Sequence, residues 1–292
     1  MNRKRIIALG MFDGVHMGHR ALIARARQIA KESSCETVVF TFTNHPSETL
    51  GKEVKLLMPY RMRLNELAKL CDDVIAVPFT HEFADMPALD FVEMLLYEYS
   101  MAGVVMGFNY TFGRGGKGDA NLMTSLAQKM GFTAEVVDRV TYEDSIVSST
   151  YIRELIEKGD IERANKLLCG EFSLSGNIVP NMHIGGTLIG FPTANLIPDD
   201  GIVLPCEGVY ATRVYIRGEL YRGVTNIGSN PTVGGKKITV ETHIIDFSGD
   251  IYGEAMTIDF VKRLRDCIKF DSIDGLRAQI ADDVANAEKL AI

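Results

Sequence analysis

The sequence predicts an α/β domain built on a doubly wound parallel sheet, followed by a mainly β domain, an antiparallel barrel with a terminal helix. Three observations carry this. In the first half, short apolar or β-branched runs at residues 5–9, 37–43, 73–77, 103–106 and 134–137 alternate with helix-like segments, the pattern of a parallel sheet covered on both faces. After Cys169-Gly170, strand-like segments at 172–179, 209–216, 220–227, 238–247 and 255–261 are separated by Gly, Pro, Asn and Asp turns, which fits an antiparallel barrel or sandwich. From about Asp271, Ile273, Leu276, Ile280 and Val284 recur at helical spacing. The boundary falls near residue 170, giving domains 1–170 and 171–292.

Taken in order, residues 5–9 form a buried strand, and Leu22, Ile23, Ala26, Ile29 and Ala30 line one face of a helix. The glycine-rich turn between them therefore sits at a strand's carboxyl end and a helix's amino end. Such a junction offers free N–H groups and a positive dipole end to an anion, and glycine lets a phosphate approach the main chain. In a doubly wound sheet, ligands bind at the carboxyl ends of the strands. Residues 150–168 read as two short helices divided at Gly159-Asp160, where glycine closes one and aspartate caps the next.

The chain has 292 residues, 46% hydrophobic and 24% charged, enough for two ordinary domains. A net charge of -7 argues against a general nucleic-acid binder, which needs a basic face to displace counterions. The five cysteines, Cys35, Cys71, Cys169, Cys206 and Cys267, form no CxxC, and their odd number suits a reducing compartment; the cytoplasm is expected. The apolar run after the basic start breaks at Gly10 and Asp13, and no long apolar segment follows, so no membrane partner is expected. The oligomeric state is left open. Without tryptophan, stacking on a ligand ring falls to Phe or Tyr.

Four motifs carry chemistry. The first is Gly10-Met11-Phe12-Asp13-Gly14-Val15-His16-Met17-Gly18-His19. Histidines three apart can hold a metal, but no downstream His or Cys cluster completes a zinc site; alone, such a pair is most often a set of turn hydrogen bonds. The second, Gly107-Phe108-Asn109-Tyr110-Thr111-Phe112-Gly113, follows a predicted strand and leads into the basic, glycine-rich 114–118. Third, Val147-Ser148-Ser149-Thr150-Tyr151-Ile152-Arg153 puts hydroxyls at a helix start and a guanidinium one turn in, groups that converge on a polyphosphate or simply cap the helix. The fourth is Gly190-Phe191-Pro192-Thr193-Ala194-Asn195.

Strand, Gly-x-Phe-Asp-Gly-x-His-x-Gly-His, then helix resembles the HxGH signature of the nucleotidylyltransferase superfamily, in the form carried by bacterial bifunctional riboflavin kinase/FAD synthetases. The second and third motifs match that family's later adenylylation motifs in order. GFPTAN resembles its riboflavin kinase motif, and the match continues through 208–211, 226–228, Pro231-Thr232, Glu241, Asp246-Phe247, Tyr252-Gly253, Arg265 and Phe270. The resemblance covers both halves of the chain. It implies two ATP-dependent steps, phosphorylation of riboflavin to FMN and adenylylation of FMN to FAD with release of pyrophosphate.

The resemblance further implies that His16, His19 and Arg153 act in adenylyl transfer, with Gly10, Phe12, Asp13, Gly14, Gly18, Asn109, Ser148, Ser149 and Thr150 binding its ligands. Gly190 and Pro192 would line the kinase nucleotide site, and Thr193 and Asn195 would ligate magnesium with the ATP phosphates. Glu241 would receive the proton of the ribityl 5′-hydroxyl or orient it. Strand alternation puts Ile238, Val240 and Ile244 on one face and Glu241 with His243 on the other.

The chain departs from the family pattern at four places. Met58 follows Leu56-Leu57 where threonine is common, with Arg61 and Arg63 as substitutes for a nearby basic residue; Tyr151 stands where arginine is frequent. Met182 replaces a glycine, and Gly186-Thr187 replaces a Gly-Arg pair. Two alternatives follow: one domain inactive, leaving a single activity, or a flavin- or nucleotide-binding regulator without turnover. Product analysis separates the first; intact His16, His19, Asn195 and Glu241 argue against the second.

Overall fold

The computed structural model describes residues 3–180, 190–232 and 235–290. Met182 and Thr187 lie outside the described residues. The chain divides into two compact units, Met1–Ser149 and Thr150–Ile292.

The first unit begins with strand β1 (Arg5–Leu9), helix α1 (Met17–Ser33) and strand β2 (Glu36–Phe42). Helices α2 (Pro46–Thr49) and α3 (Tyr60–Ala68) lead to β3 (Asp73–Val77), and α4 (His81–Ala84) and α5 (Ala88–Tyr97) to β4 (Met101–Gly107). Then come α6 (Ala120–Met130), β5 (Thr133–Val137) and a small hairpin, β6 (Thr141–Tyr142) and β7 (Ser145–Ile146). Among the described residues, β1 to β5 form one parallel sheet in the order β3-β2-β1-β4-β5. Alternation splits its side chains between two cores. Ile7, Leu9, Val38, Phe40, Val104 and Met106 pack with Phe91 and Leu95 of α5 and Met123 of α6. Ile6, Ala8, Val39 and Val105 pack on the other face with Leu22, Ile23 and Ala26 of α1 and Leu67 of α3. Strand order reverses between β1 and β4, so the crevice at their carboxyl ends is the switch point where such sheets bind ligands.

The second unit opens with α7 (Ser149–Lys158), whose first residue closes the first unit, and α8 (Ile161–Leu168). They part where the sequence divides them: Gly159 takes φ +79, and the Asp160 carboxylate accepts the Arg163 amide hydrogen at 3.3 Å. The strands are β8 (Phe172–Val179), β9 (Thr193–Pro198), β10 (Gly208–Ile216), β11 (Glu219–Thr232), β12 (Gly235–Ile244) and β13 (Ala255–Arg265), followed by α9 (Ile273–Lys289). The sandwich alternative fails: among the described residues these strands close into a barrel in the order β10-β11-β12-β9-β8-β13. β9 was not among the expected strands, because its flanking Pro192 and Pro198 read as turn residues. Inside the barrel, the fully buried Thr212, Thr225 and Thr242 link β10, β11 and β12 through hydroxyl contacts of 2.9 Å each.

α9 packs across β10 and β11 on the barrel's outer face, where Val284, Ala287 and Leu290 meet Val209, Ala211 and Val224. Of the expected apolar stripe, Leu276, Ile280 and Val284 are partly buried and only its first residue turns outward. Ile273 is 65% exposed, whereas Asp283 is 2% exposed and accepts from Arg265 at 2.7 to 3.1 Å through both carboxylate oxygens. A charged residue thus occupies a buried helix position because β13 supplies its counter-ion.

Candidate active site

The first and second motifs lie in the first unit and the fourth in the second, while the third, residues 147–153, runs across the division after Ser149. In the first, β1 ends at Leu9 and the chain turns through Gly10 to His16 before α1 begins. Phe12 and Val15 take φ of +56 and +40 and Gly14 takes +83, so the turn holds two side-chain-bearing residues in the left-handed region. The Phe12 ring is fully buried and lies 5.2 Å from the His19 ring, which it supports from below the turn. Gly10 makes room for it, since a Cβ there would stand 3.0 Å from the Phe12 ring.

His16 caps α1. Its Nδ1 accepts the His19 amide hydrogen at 3.4 Å, which leaves Nε2 as the ring's N–H donor when the imidazole is neutral. The two imidazoles stack with centroids 3.6 Å apart and planes 16° from parallel. Burial holds the His19 pKa well below its ordinary value, and the neighbouring His16 and Arg63 lower it further. His19 is therefore a neutral hydrogen-bonding group near neutral pH, and its buried Nδ1 has no partner among the described residues. Gly18 is needed where the rings stack, because a Cβ there would come within 3.2 Å of His16 Cε1.

Asp13 ties the turn to its surroundings. Its buried carboxylate accepts the Leu57 amide hydrogen at 2.9 and 3.2 Å, and its carbonyl accepts the Ser149 hydroxyl at 2.9 Å. Ser149 is thus tied to the histidine turn, and Asp13 serves through contacts that the sequence did not disclose. The site also gains a buried cation. Arg63 is 1% exposed, donates to the Phe42 carbonyl at 2.6 Å and lies 5.5 Å from the Tyr60 ring centroid, while Arg61 faces solvent. Desolvation lowers the Arg63 pKa and Asp13 opposes that shift. Met58 packs into the core beside α1. Asn109 is exposed just beyond β4, the strand adjacent to β1.

Thr150 and Arg153 lie in the first turns of α7, within the second unit. Tyr151, the departure from the family's arginine, carries the Arg163 guanidinium 5.7 Å from its ring centroid.

In the barrel, the fourth motif enters β9. Gly190 takes φ +85, and Pro192 precedes the strand. Because Val240 and Thr242 face the interior, Thr193, Asn195, Glu241 and His243 project from the outer face. Register sets them side by side: Asn226 opposes Glu241, Glu241 opposes Asn195, and His243 opposes Thr193. Directly opposed side chains have Cβ atoms about 5 Å apart. A carboxylate is thereby flanked by two carboxamides in one cross-strand row, and the buried Asn195 Nδ2 has no partner among the described residues. Sequence reading named Asn195 and Glu241 but not Asn226 as a neighbour, since strand register is invisible until pairing is known.

Thr193 and Asn195 point the same way and offer a hydroxyl and an amide oxygen, donors suited to a hard divalent cation. No group of three or more His, Cys, Asp or Glu residues among the described residues could enclose a metal. A hydroxyl and an amide oxygen fit magnesium whose other ligands would be nucleotide phosphates and water.

The family model for FAD synthetase matches residues 1–151, and that for riboflavin kinase matches residues 168–291. Curated proteins named bifunctional riboflavin kinase/FMN adenylyltransferase are similar along almost the whole length. The one from Bacillus subtilis is 37% identical, over 97% of this chain and 92% of that protein. The Listeria monocytogenes protein is 37% identical over 96% of this chain and 90% of its own. A crystal structure titled as a macrolide-efflux protein from Streptococcus pneumoniae superposes with a TM-score of 0.91 at 31% identity, covering 100% of this chain and 96% of that one. No helix among the described residues is long and apolar enough to cross a membrane.

Proposed function

The chain belongs to the family of bifunctional riboflavin kinase/FMN adenylyltransferases, and from that premise we propose how its residues divide the two steps. It phosphorylates riboflavin to FMN with ATP and transfers the adenylyl group of ATP to FMN, giving FAD and pyrophosphate. We assign adenylyl transfer to residues 1–170 and riboflavin phosphorylation to residues 171–292, in the cytoplasm. The observation that best supports this division is that each unit buries an unpartnered polar atom on its own motif, His19 Nδ1 in one and Asn195 Nδ2 in the other. A bound ligand would satisfy each of these two atoms.

In adenylyl transfer, an FMN phosphate oxygen forms a bond to the α-phosphorus of ATP while the bond to pyrophosphate breaks. His16 and His19 donate hydrogen bonds that align the phosphates, His19 as a neutral imidazole, with the amides at the start of α1 adding positive potential. Arg153, with Ser148, Ser149 and Thr150, neutralises charge growing on the departing pyrophosphate. Asn109 binds without repelling phosphate.

In phosphorylation, the riboflavin 5′-oxygen bonds to the γ-phosphorus as the bond to ADP breaks. Glu241 receives the hydroxyl proton or orients the hydroxyl toward phosphorus. Thr193 and Asn195 would hold magnesium brought with ATP, which would supply positive charge to offset that of the phosphates. Gly190 and Pro192 shape the approach to Thr193.

The test is incubation of pure protein with riboflavin, ATP and magnesium, followed by separation of the flavins. FMN forms first and FAD follows. Accumulation of FMN with no FAD, or no turnover of riboflavin while supplied FMN is adenylylated, would reduce the enzyme to one activity; binding without turnover would make it a regulator.

A further inference from the structure

His243 shares the outer face of β12 with Glu241, yet neither proposed step uses it. Its surroundings give it a task. The ladder between β12 and β9 runs from Val240 opposite Leu196 to His243 opposite Thr193 and stops there. One residue beyond the last pair, the His243 side chain continues the grip: Nδ1 lies 2.9 Å from the Pro192 carbonyl oxygen. A carbonyl only accepts, so Nδ1 carries the hydrogen in this bond. The Phe191 ring meets the imidazole edge-on, with centroids 5.2 Å apart at 86°. Two consecutive residues of the motif are thus fastened to one side chain of the neighbouring strand, immediately before Thr193. Pro192 has no N–H with which to extend the ladder itself.

We propose that His243 is a positioning residue of the kinase site: its Nδ1–H bond and ring contact hold Phe191-Pro192, and so fix how Thr193 and Asn195 meet the nucleotide. This rests on the reading of those two residues as the nucleotide and magnesium contacts. His243 acts through them and transfers no proton to substrate.

The chemistry of the bond selects the variants. In asparagine, Nδ2 is attached to Cγ as Nδ1 is in histidine, so His243→Asn keeps a donor in the same place. His243→Gln moves the donor one bond outward, and His243→Leu removes it. In the full chain, His243→Asn should keep the kinase KM for ATP within about twofold of wild type, whereas the other two should raise it on the order of tenfold, the scale of one lost hydrogen bond. The kinase kcat should fall by less than KM rises. Calorimetric titration with ADP and magnesium should rank the variants identically without turnover. Adenylylation of supplied FMN, which reports an intact fold, should be unchanged in all three.

Asparagine as impaired as glutamine, all three variants at wild-type KM, or equal losses in both half-reactions would each overturn the positioning role. Asn195→Ala separates this from the underlying reading. If it leaves the kinase normal, the nucleotide assignment itself fails; if it abolishes phosphorylation while the His243 series stays normal, only the role of His243 fails.

Discussion

Gly18→Ala should separate stability from chemistry in the first unit. The new methyl carbon would stand 3.2 Å from His16 Cε1, 3.3 Å from Nδ1 and 3.8 Å from the Val147 carbonyl oxygen. Carbon atoms normally pack at about 3.5–4.0 Å, so the ring must retreat by roughly half an ångström. It cannot do so alone, because His19 is stacked on it at 3.6 Å and its Nδ1 holds the His19 amide at an already long 3.4 Å. A misplacement of about 1 Å can cost about a hundredfold in rate, so half that displacement sets an expectation of about tenfold in kcat/KM for adenylyl transfer. Stability should move the other way or not at all. Gly18 is the second residue of α1, where alanine is intrinsically better by up to about 1 kcal/mol, less a few tenths for the tight contact. Initial rates of FAD formation from FMN and ATP, a melting curve, and riboflavin phosphorylation as internal reference check all three. Full adenylyl transfer at wild-type KM would refute the packing role of Gly18, and a large drop in melting temperature would refute the assignment of the loss to geometry.

Acidification should destabilise the first unit through His19. Its folded pKa lies below the ordinary 6.5, so the unfolded chain binds more protons as pH falls through that value. Stability is fully present above about 6.5 and is lost toward lower pH by up to about 1.4 kcal/mol per unit. Urea unfolding at pH 7.5, 6.5 and 5.5 should show a shallower slope for His19→Asn than for wild type, and equal slopes would count against a buried neutral imidazole. In the barrel, Asp283→Ala leaves the Arg265 guanidinium facing a buried position without its carboxylate, and should cost about 3 kcal/mol. Thermal unfolding and loss of the kinase on mild heating report it; a change below about 1 kcal/mol would mean that solvent already screens the pair.

Much of the architecture was legible because short apolar runs and helical repeats follow one another so plainly. Ile6, Ala8 and Ile7, Leu9 alternate to opposite faces of the parallel sheet, and Leu22, Ile23, Ala26 and Ala30 follow the helical repeat onto one of them. Gly159-Asp160 marked the break between α7 and α8 through backbone chemistry that needs no tertiary context. What sequence could not reveal depends on partners far along the chain. Asp283 is buried because Arg265 meets it, and a repeat of apolar residues gives no sign of that pairing. Arg63, expected only as a substitute basic residue, is buried because the Phe42 carbonyl and Tyr60 ring receive its guanidinium. At the candidate sites, HxGH identified the strand and helix that matter, while GFPTAN marked the segment without disclosing that it enters a strand. The link from Asp13 to Leu57, the row through Asn226, Glu241 and Asn195, and the bond from His243 to Pro192 emerge only from register and turn geometry.

The division of labour between residues 1–170 and 171–292 is tested most directly by supplying riboflavin or FMN, with ATP and magnesium, to His19→Ala and Asn195→Ala and separating the flavins. His19→Ala should convert riboflavin to FMN at nearly the wild-type rate and form no FAD. Asn195→Ala should leave riboflavin unphosphorylated while converting supplied FMN to FAD. Loss of both activities in either variant, with its fold intact, would contradict the assignment of one step to each motif.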